Sequence, residues 1–222
     1  MSVPELSHLQ SLGRHLREGN RVDDATFDAL YPASVRAISS VYWTPISVAM
    51  RAAVLLDVGT SGRVLDVGSG PGKFCIIAAA TTGATCVGVE QRGTLVQIAR
   101  DAARRAGVEN AEFVHGTFSE IDVTTFDALY LFNPFEENLW SPEDRIDEEV
   151  EHGTARFLED VERAEIMLAE ARKGTRVVTY PGFGGTMPPE YDLVHRELQH
   201  TNALEVWVKT HEARTGTTPD AA

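Results

Sequence analysis

Cysteine is scarce in this sequence, and what there is forms no metal-binding pattern. The chain of 222 residues contains two cysteines, Cys75 and Cys86, and both lie in apolar segments. The seven histidines show no H-x-x-x-H pattern and do not cluster with cysteine. We therefore expect two buried, reduced thiols and no bound metal.

Long apolar runs are absent as well. The longest uncharged run near the glycine-rich segment, residues 74–89, is too short and too rich in Thr and Gly to span a bilayer. The N-terminus shows no basic start followed by an apolar segment, which a secretory signal would have. These absences predict a cytoplasmic protein without a membrane partner.

Positive charge is in short supply. Lys and Arg number 20 against 33 Asp and Glu, which gives a formal net charge of -13. Such a charge opposes binding to a polyanion and disfavours a nucleic-acid partner. Residues 136–151 alone hold eight acids and one base, Arg145. This segment is either a solvated, mobile loop or a surface that attracts a cationic substrate.

Glycine, by contrast, is concentrated in one place, the stretch VLDVGSGPGKF at residues 64–74. A phosphate-binding P-loop would need glycine in place of Val67 and a hydroxyl residue in place of Phe74. The dinucleotide pattern G-x-G-x-x-G fails at its third position, Lys73. What remains is G-x-G-x-G at Gly68, Gly70 and Gly72, with Ser69 inside it and Asp66 two residues before. Such a turn either brings backbone N–H groups close to a ligand or serves the fold alone.

Strand and helix patterns alternate around this turn. Apolar runs at 64–67, 85–89, 113–115, 128–132 and 176–180 predict five strands, and helical spacing predicts helices at 74–80, at 95–106 and from 154 to a stop at Gly174. Residues 191–198 and 204–208 read as an antiparallel pair. Leu6, Leu9, Leu12 and Leu16 begin a set of short N-terminal helices. We predict an α/β fold with a doubly wound, mostly parallel, seven-stranded sheet and an N-terminal helical extension.

An acid stands where a nucleoside-binding fold would use one. Glu90 ends the second predicted strand, 22 positions after Gly68. A carboxylate about 20 residues after a glycine turn accepts hydrogen bonds from a ribose diol. Without the glycine turn, the same residue would be a solvated charge at a strand end.

These residues resemble the class I S-adenosylmethionine-dependent methyltransferases over about residues 44–209. The resemblance implies S-adenosylmethionine as cofactor, with the glycine loop under its methionine part, Asp66 near its amino group, and Glu90, followed by Gln91, at the ribose. The family's third motif places an Asp near the adenine amine. Here VHGTF at 114–118 has none, so adenine recognition is expected from backbone groups near Gly116 and Thr117.

The fourth predicted strand runs into LFNPFEEN at 131–138. This stretch resembles a shortened N-P-P-aromatic motif of methyltransferases that act on nitrogen, in which the Asn accepts hydrogens from the target nitrogen. The resemblance makes Asn133, Pro134 and Phe135 the candidate catalytic residues. An Asn-Pro turn that only ends a strand is the plain alternative. Glu136, Glu137 and Tyr180 are candidate proton acceptors, and the residues do not choose among them.

The segment VYWTPISVAM at 41–50 resembles the helix that closes over the cofactor in non-SET protein lysine methyltransferases. Tyr42 and Trp43 are then either a lid or packed core. We divide the chain into an N-terminal extension (1–43), a methyltransferase domain (44–211) and a disordered tail (212–222). The methyl acceptor is expected to be a protein side chain or a small molecule.

Two other functions share part of the pattern. An NAD(P)-dependent oxidoreductase also has the strand, the glycine turn and the distal acid, but it needs the missing third glycine and leaves residues 133–135 unexplained. A non-catalytic module that keeps the cofactor fold predicts binding without turnover. Titration with S-adenosylmethionine and NAD separates the first from the methyltransferase.

Overall fold

A computed structural model of the chain describes residues 11–211. The predictions made for Leu6, Leu9 and the tail at 212–222 lie outside the described residues. Among the described residues, no helix has the length and apolar character needed to cross a bilayer.

One mixed sheet organises the molecule. Its strands are β1 (Arg63–Val67), β2 (Thr85–Glu90), β3 (Ala111–His115), β4 (Ala128–Leu131), β5 (Arg176–Thr179), β6 (Tyr191–Gln199) and β7 (Asn202–Lys209). They are ordered β3-β2-β1-β4-β5-β7-β6, with β1 to β5 parallel and β7 antiparallel to both of its neighbours. The predicted fold class, including the final antiparallel pair, is confirmed.

Helices cover both faces of the sheet. In chain order they are α1 (Leu12–Arg17), α2 (Asp24–Asp28), α3 (Ala33–Ala37), α4 (Ser39–Tyr42), α5 (Ile46–Leu56), α6 (Lys73–Thr82), α7 (Gly93–Ala106) and α8 (Thr154–Glu170). One apolar cluster packs α1 to α7 against one face of the sheet, and a second packs α8 against the other. Parallel strands that are buried on both faces read as continuous apolar runs, which is why the short strands could be recognised.

The two cysteines lie in the core, as predicted. Cys75 on α6 and Cys86 on β2 are both buried and both free. Burial raises the pKa of each thiol above its usual value. Each thiol therefore stays protonated near neutral pH.

A buried lysine fastens the N-terminal helices to the glycine turn. Lys73, the first residue of α6, is 3% exposed and its Nζ lies 2.6 Å from Asp24 and 2.8 Å from Asp28. Asp24 also accepts the backbone N–H of Ile46, and Asp28 accepts the hydroxyl of Ser39. This one cation joins α2, α4 and the start of α5 to the turn after β1.

The order of the strands fixes where a ligand fits. The sheet runs from β1 to β2 and β3 on one side and to β4 and β5 on the other. In such sheets the crevice lies beyond the carboxyl ends of the strands at this reversal. The turns that follow β1, β2, β3 and β4 all meet at that edge.

Candidate functional site

The turn after β1 adopts a backbone conformation that glycine suits. Gly68, Gly70 and Gly72 have φ values of 71°, 53° and 80°. A Cβ on Gly70 would lie 2.8 Å from the ring of Trp43, and one on Gly72 would lie 2.4 Å from the ring of Phe113. The turn is therefore bare at Gly70 because an aromatic ring lies directly against it.

Glu90 closes the glycine turn from the end of β2. One carboxylate oxygen accepts the N–H of Gly70 at 3.0 Å, and the other accepts the N–H of Arg92 at 2.9 Å. Burial raises the pKa of Glu90 above its usual value, although the two N–H groups and the Arg92 guanidinium act in the opposite direction. Glu90 is thus a buried acceptor and not a solvated strand-end charge.

Asp66 lies deeper, under the same turn. It is 4% exposed, and its carboxylate accepts the thiol of Cys75 at 3.4 Å. Burial raises its pKa to about 7, and the thiol contact offsets only part of that rise. The hydroxyl of Ser69 is buried and lacks a hydrogen-bond partner among residues 11–211. Asp66, Gly68 and Ser69 line a small cavity beside the main one.

The turn after β4 presents Asn133 in an unusual conformation. Asn133 has a φ of 41°, and its N–H donates to the carbonyl of Gly182 at 3.0 Å. Its side-chain amide donates to Glu136, which leaves the amide oxygen as an acceptor. Phe135 is buried, with its ring 5.3 Å from that of Phe118 after β3.

The four turns surround one cavity of about 360 Å³. We call the turns at residues 68–72, 90–92, 116–118 and 133–135 the floor. The cavity is lined by nine floor residues that the sequence had singled out or that lie beside them: Gly68, Gly70, Glu90, Gln91, Gly116, Thr117, Asn133, Pro134 and Phe135. Among the described residues, Gly72 lines neither cavity, because it packs against Phe113 and Ala99 instead.

A second set of residues, at 40–43 and 136–152, covers the cavity, and we call it the roof. Its two parts meet where Tyr42 packs on Trp140 with ring centroids 5.1 Å apart, and where the Tyr42 hydroxyl donates to the carbonyl of Asp144. Trp43 is both buried and in the cavity wall, so the alternatives of lid and packed core are combined in one residue.

The acidic segment is tied down at several points. Arg92, 3% exposed, donates to Glu137 at 2.8 Å and to Asp147 at 3.0 Å. Glu149 accepts the N–H of Gly93 and the hydroxyl of Thr94 at the start of α7. The interpretation of this segment as a free, solvated loop is therefore wrong for these acids. Glu136, Glu143, Glu148 and Glu151 remain exposed.

Several lining residues gave no signal in the sequence. Asn138, His152, Arg156 and Asp160 all line the cavity beside Arg92. They come from the roof and from α8, far along the chain from the glycine turn, and each is an ordinary polar residue in its local context. Among the described residues, no group of three or more His, Cys, Asp or Glu side chains is placed to hold a metal ion.

A family model for a methyltransferase domain matches residues 59–171, just over half of the chain. No curated protein sequence matches the chain significantly. An RNA methyltransferase from Salinibacter ruber, solved in complex with S-adenosyl-L-homocysteine, has a TM-score of 0.58 and 25% identity, over 78% of this chain and 97% of its own.

Two further solved structures share the fold. TrmN from Thermus thermophilus has a TM-score of 0.56 and 19% identity, over 75% of this chain and 49% of its own. MtNAS, solved in complex with S-adenosylmethionine, has a TM-score of 0.55 and 15% identity, over 93% of this chain and 73% of its own. At these identities the likeness concerns the fold.

Proposed function

The chain belongs to the methyltransferase-domain family and uses S-adenosylmethionine, and we propose that it transfers the methyl group to a nitrogen of a protein side chain or a small molecule. The observation that supports this acceptor is Asn133. It lines the same cavity as Glu90 and the glycine turn, with an acceptor oxygen left over after its amide has donated to Glu136.

The residues present fit S-adenosylmethionine. A cavity of about 360 Å³ is within the usual range for small-molecule sites, and the aromatic wall at Trp43 leaves no room for a side chain at Gly70. We assign the methionine end of the cofactor to Asp66, Ser69 and the glycine turn, and the ribose hydroxyls to Glu90. When bound, the cofactor supplies a methyl group on a positively charged sulfur, which is a good leaving group.

With such a leaving group, the protein has mainly to align the reactants and exclude water. Asn133 accepts a hydrogen of the target nitrogen and thereby directs its lone pair at the methyl carbon. The new N–C bond forms as the C–S bond breaks, the sulfur keeps the electron pair, and S-adenosylhomocysteine is released. The roof keeps water from the reacting atoms.

The nitrogen also loses a proton, and Glu136 is the best placed of the three candidate acceptors. The Tyr180 hydroxyl donates to the carbonyl of Gln199, and Glu137 already faces Arg92 and the N–H of Ile146. Glu136 is exposed and contacts Asn133 itself. We therefore assign it the proton.

The charge of the roof favours a cationic acceptor such as a lysine or a polyamine. The exposed acids at positions 136, 143, 148 and 151 carry negative charge at the rim of the cavity. Attraction between charges across solvent weakens as salt is added. We expect kcat/KM for a cationic acceptor to fall as ionic strength rises. A flat salt dependence would contradict the role of the rim.

RNA is the second candidate acceptor, because the Salinibacter ruber protein that resembles the whole domain is an RNA methyltransferase. The net charge of -13 opposes RNA, since a polyanion must then approach an acidic rim. Incubation with tritiated S-adenosylmethionine and either polylysine, spermidine or total RNA separates the two. We expect label on the amines. Label that appears only in RNA and is lost to ribonuclease would overturn the proposal.

A further inference from the structure

One corner of the cavity is polar and deeply buried. It is formed by Asn138 and His152 of the roof and by Arg156 and Asp160 of α8. The corner is held together through Asn138, whose carbonyl accepts the N–H of Gly153 at 3.0 Å and whose side-chain amide donates to Asp160 at 3.2 Å. Arg156 donates to the same Asp160 oxygen, Oδ2, at 2.8 Å.

Two polar atoms in this corner have no hydrogen-bond partner among residues 11–211. They are Oδ1 of Asp160 and Nδ1 of His152. Asp160 is 4% exposed, and the side chain of His152 is 2% exposed. A buried polar group without a partner costs free energy, so each such atom calls for a ligand or a structural reason.

Both atoms are acceptors. Oδ1 of Asp160 belongs to a carboxylate whose other oxygen already receives two donors. His152 directs Nε2 at the Glu137 carboxylate, at 3.4 Å, and that carboxylate accepts from Arg92. Because Nε2 faces an acceptor, its hydrogen is placed there, and Nδ1 keeps the lone pair.

The corner lies on the side of the cavity that the turn after β3 forms. Phe118, directly after Gly116 and Thr117, packs on Phe135 and lines the cavity together with His152 and Asp160. Residues 114–118 contain no acid, so the turn after β3 itself offers no carboxylate to an amine. Two buried acceptors on one wall match a group that carries two hydrogens.

We propose that Asp160 and His152 accept the two hydrogens of the 6-amine of the cofactor's adenine. The adenine is then recognised from α8 and the roof, and not from the end of β3. This assignment rests on the use of S-adenosylmethionine and is independent of the methyl acceptor. It also explains why an aspartate remains buried in an otherwise apolar face of α8.

A structural role for Asp160 predicts a different result. If the carboxylate only anchors Asn138 and Arg156, then its loss weakens every ligand of the cavity to the same extent. If it reads the amine, its loss changes the preference between ligands that differ at that amine. S-inosylhomocysteine is the suitable probe, because it has an oxygen in place of the 6-amine and cannot donate to either acceptor.

The experiment compares the affinities of S-adenosylhomocysteine and S-inosylhomocysteine by calorimetry. We expect wild-type protein to prefer the adenosyl compound by about 10–100-fold, the usual range for a hydrogen bond to a charged group. Asp160→Asn, and separately His152→Phe, should each reduce that preference at least about fivefold. The matched control is Glu159→Gln, an exposed acid beside Asp160 on the same helix, which should leave the preference unchanged.

Equal affinity of wild-type protein for the two compounds would overturn the proposal without any variant. So would an unchanged preference in either variant, shown to be folded by its thermal unfolding. An equal loss of affinity for both compounds would assign Asp160 a structural role and would also overturn it. Because both probes lack the methyl group, none of these results depends on which nitrogen is methylated.

Discussion

The floor and the roof of the cavity are held by different kinds of contact. The floor is built from turns between adjacent parallel strands, and its main hydrogen bonds join residues such as Gly70 and Glu90 at the ends of neighbouring strands. The roof is fixed by charged and aromatic pairs from distant segments, such as Arg92 with Glu137 and Asp147. The floor follows from the topology of the sheet, whereas the roof depends on a few individual side chains.

This difference fits a division of labour. Contacts that every cofactor molecule needs belong in the rigid part, since strand ends hold groups more precisely than loops do. Contacts that must open for entry and release belong in the part with fewer fixed points. We therefore expect substitutions in the floor to change affinity or turnover, and substitutions at the joint between floor and roof to change stability.

The largest effect is expected at that joint. Replacing Lys73 by Met leaves Asp28 buried without its cation, and breaking a buried pair in this way costs about 3–5 kcal/mol. Urea unfolding measures the loss. The control is Lys173→Met, an exposed lysine, which should change stability by less than about 0.5 kcal/mol. If the two variants unfold alike, Lys73 does not fasten the roof to the floor.

The floor is tested next at Glu90. Glu90→Ala removes the proposed ribose acceptor, and affinity for S-adenosylhomocysteine should fall by about 10–100-fold. The N–H groups of Gly70 and Arg92 also lose their partner, so the variant should unfold more easily as well. Glu90→Gln separates the effects, because it keeps an acceptor oxygen. Glu162→Gln, an exposed acid on α8, is the control. Undiminished affinity in a folded Glu90→Ala protein would remove Glu90 from the site.

Turnover that slows without loss of cofactor affinity is the expected signature of Asn133. Because Asn133 has a φ of 41°, alanine would add backbone strain, and Asn133→Gly is the cleaner change. We expect cofactor affinity within a few-fold of wild type and methyl transfer slower by at least about tenfold. Labelled methyl transfer and calorimetry on the same preparations measure both. Near-normal turnover would mean that Asn133 and Pro134 form only a turn.

The smallest effect concerns pH and Asp66. Its pKa of about 7 in the free protein lies above the unfolded value, so its contribution to stability is largest below about pH 4 and is lost as pH rises to about 7. A bound ammonium group favours the ionised form. Affinity for S-adenosylhomocysteine should therefore rise by up to about tenfold between pH 6 and pH 8, and Asp66→Asn should remove that rise. A pH profile that is equally steep in the variant would place the amino group elsewhere.

The strands and the floor could be predicted from the sequence because their signals are local. The glycine spacing and Glu90 lie at the ends of short apolar runs, and every predicted strand agrees with an observed one to within two residues at each end. A short apolar run bounded by turn residues is typical of a parallel strand that is buried on both faces. The antiparallel pair at the C-terminus was recognisable for a similar reason, because only a short link separates its two runs.

The roof and the polar corner could not be predicted, for a physical reason. Arg92 pairs with acids 45 and 55 positions further along the chain, so nothing beside it marks it as buried. Asp160 follows an exposed glutamate on α8 and reads as a solvent-facing acid until the fold brings Asn138 to it. Long-range pairing, not composition, decides which charged residues line the cavity.

Titration of the full-length protein with S-adenosylmethionine and with NAD, followed by calorimetry, tests the assignment of the cavity most directly. We expect saturable binding of one S-adenosylmethionine per chain, competed by S-adenosylhomocysteine, and no heat of binding with NAD. Saturable binding of NAD without binding of S-adenosylmethionine would contradict the assignment of the glycine turn, Glu90 and Asn133.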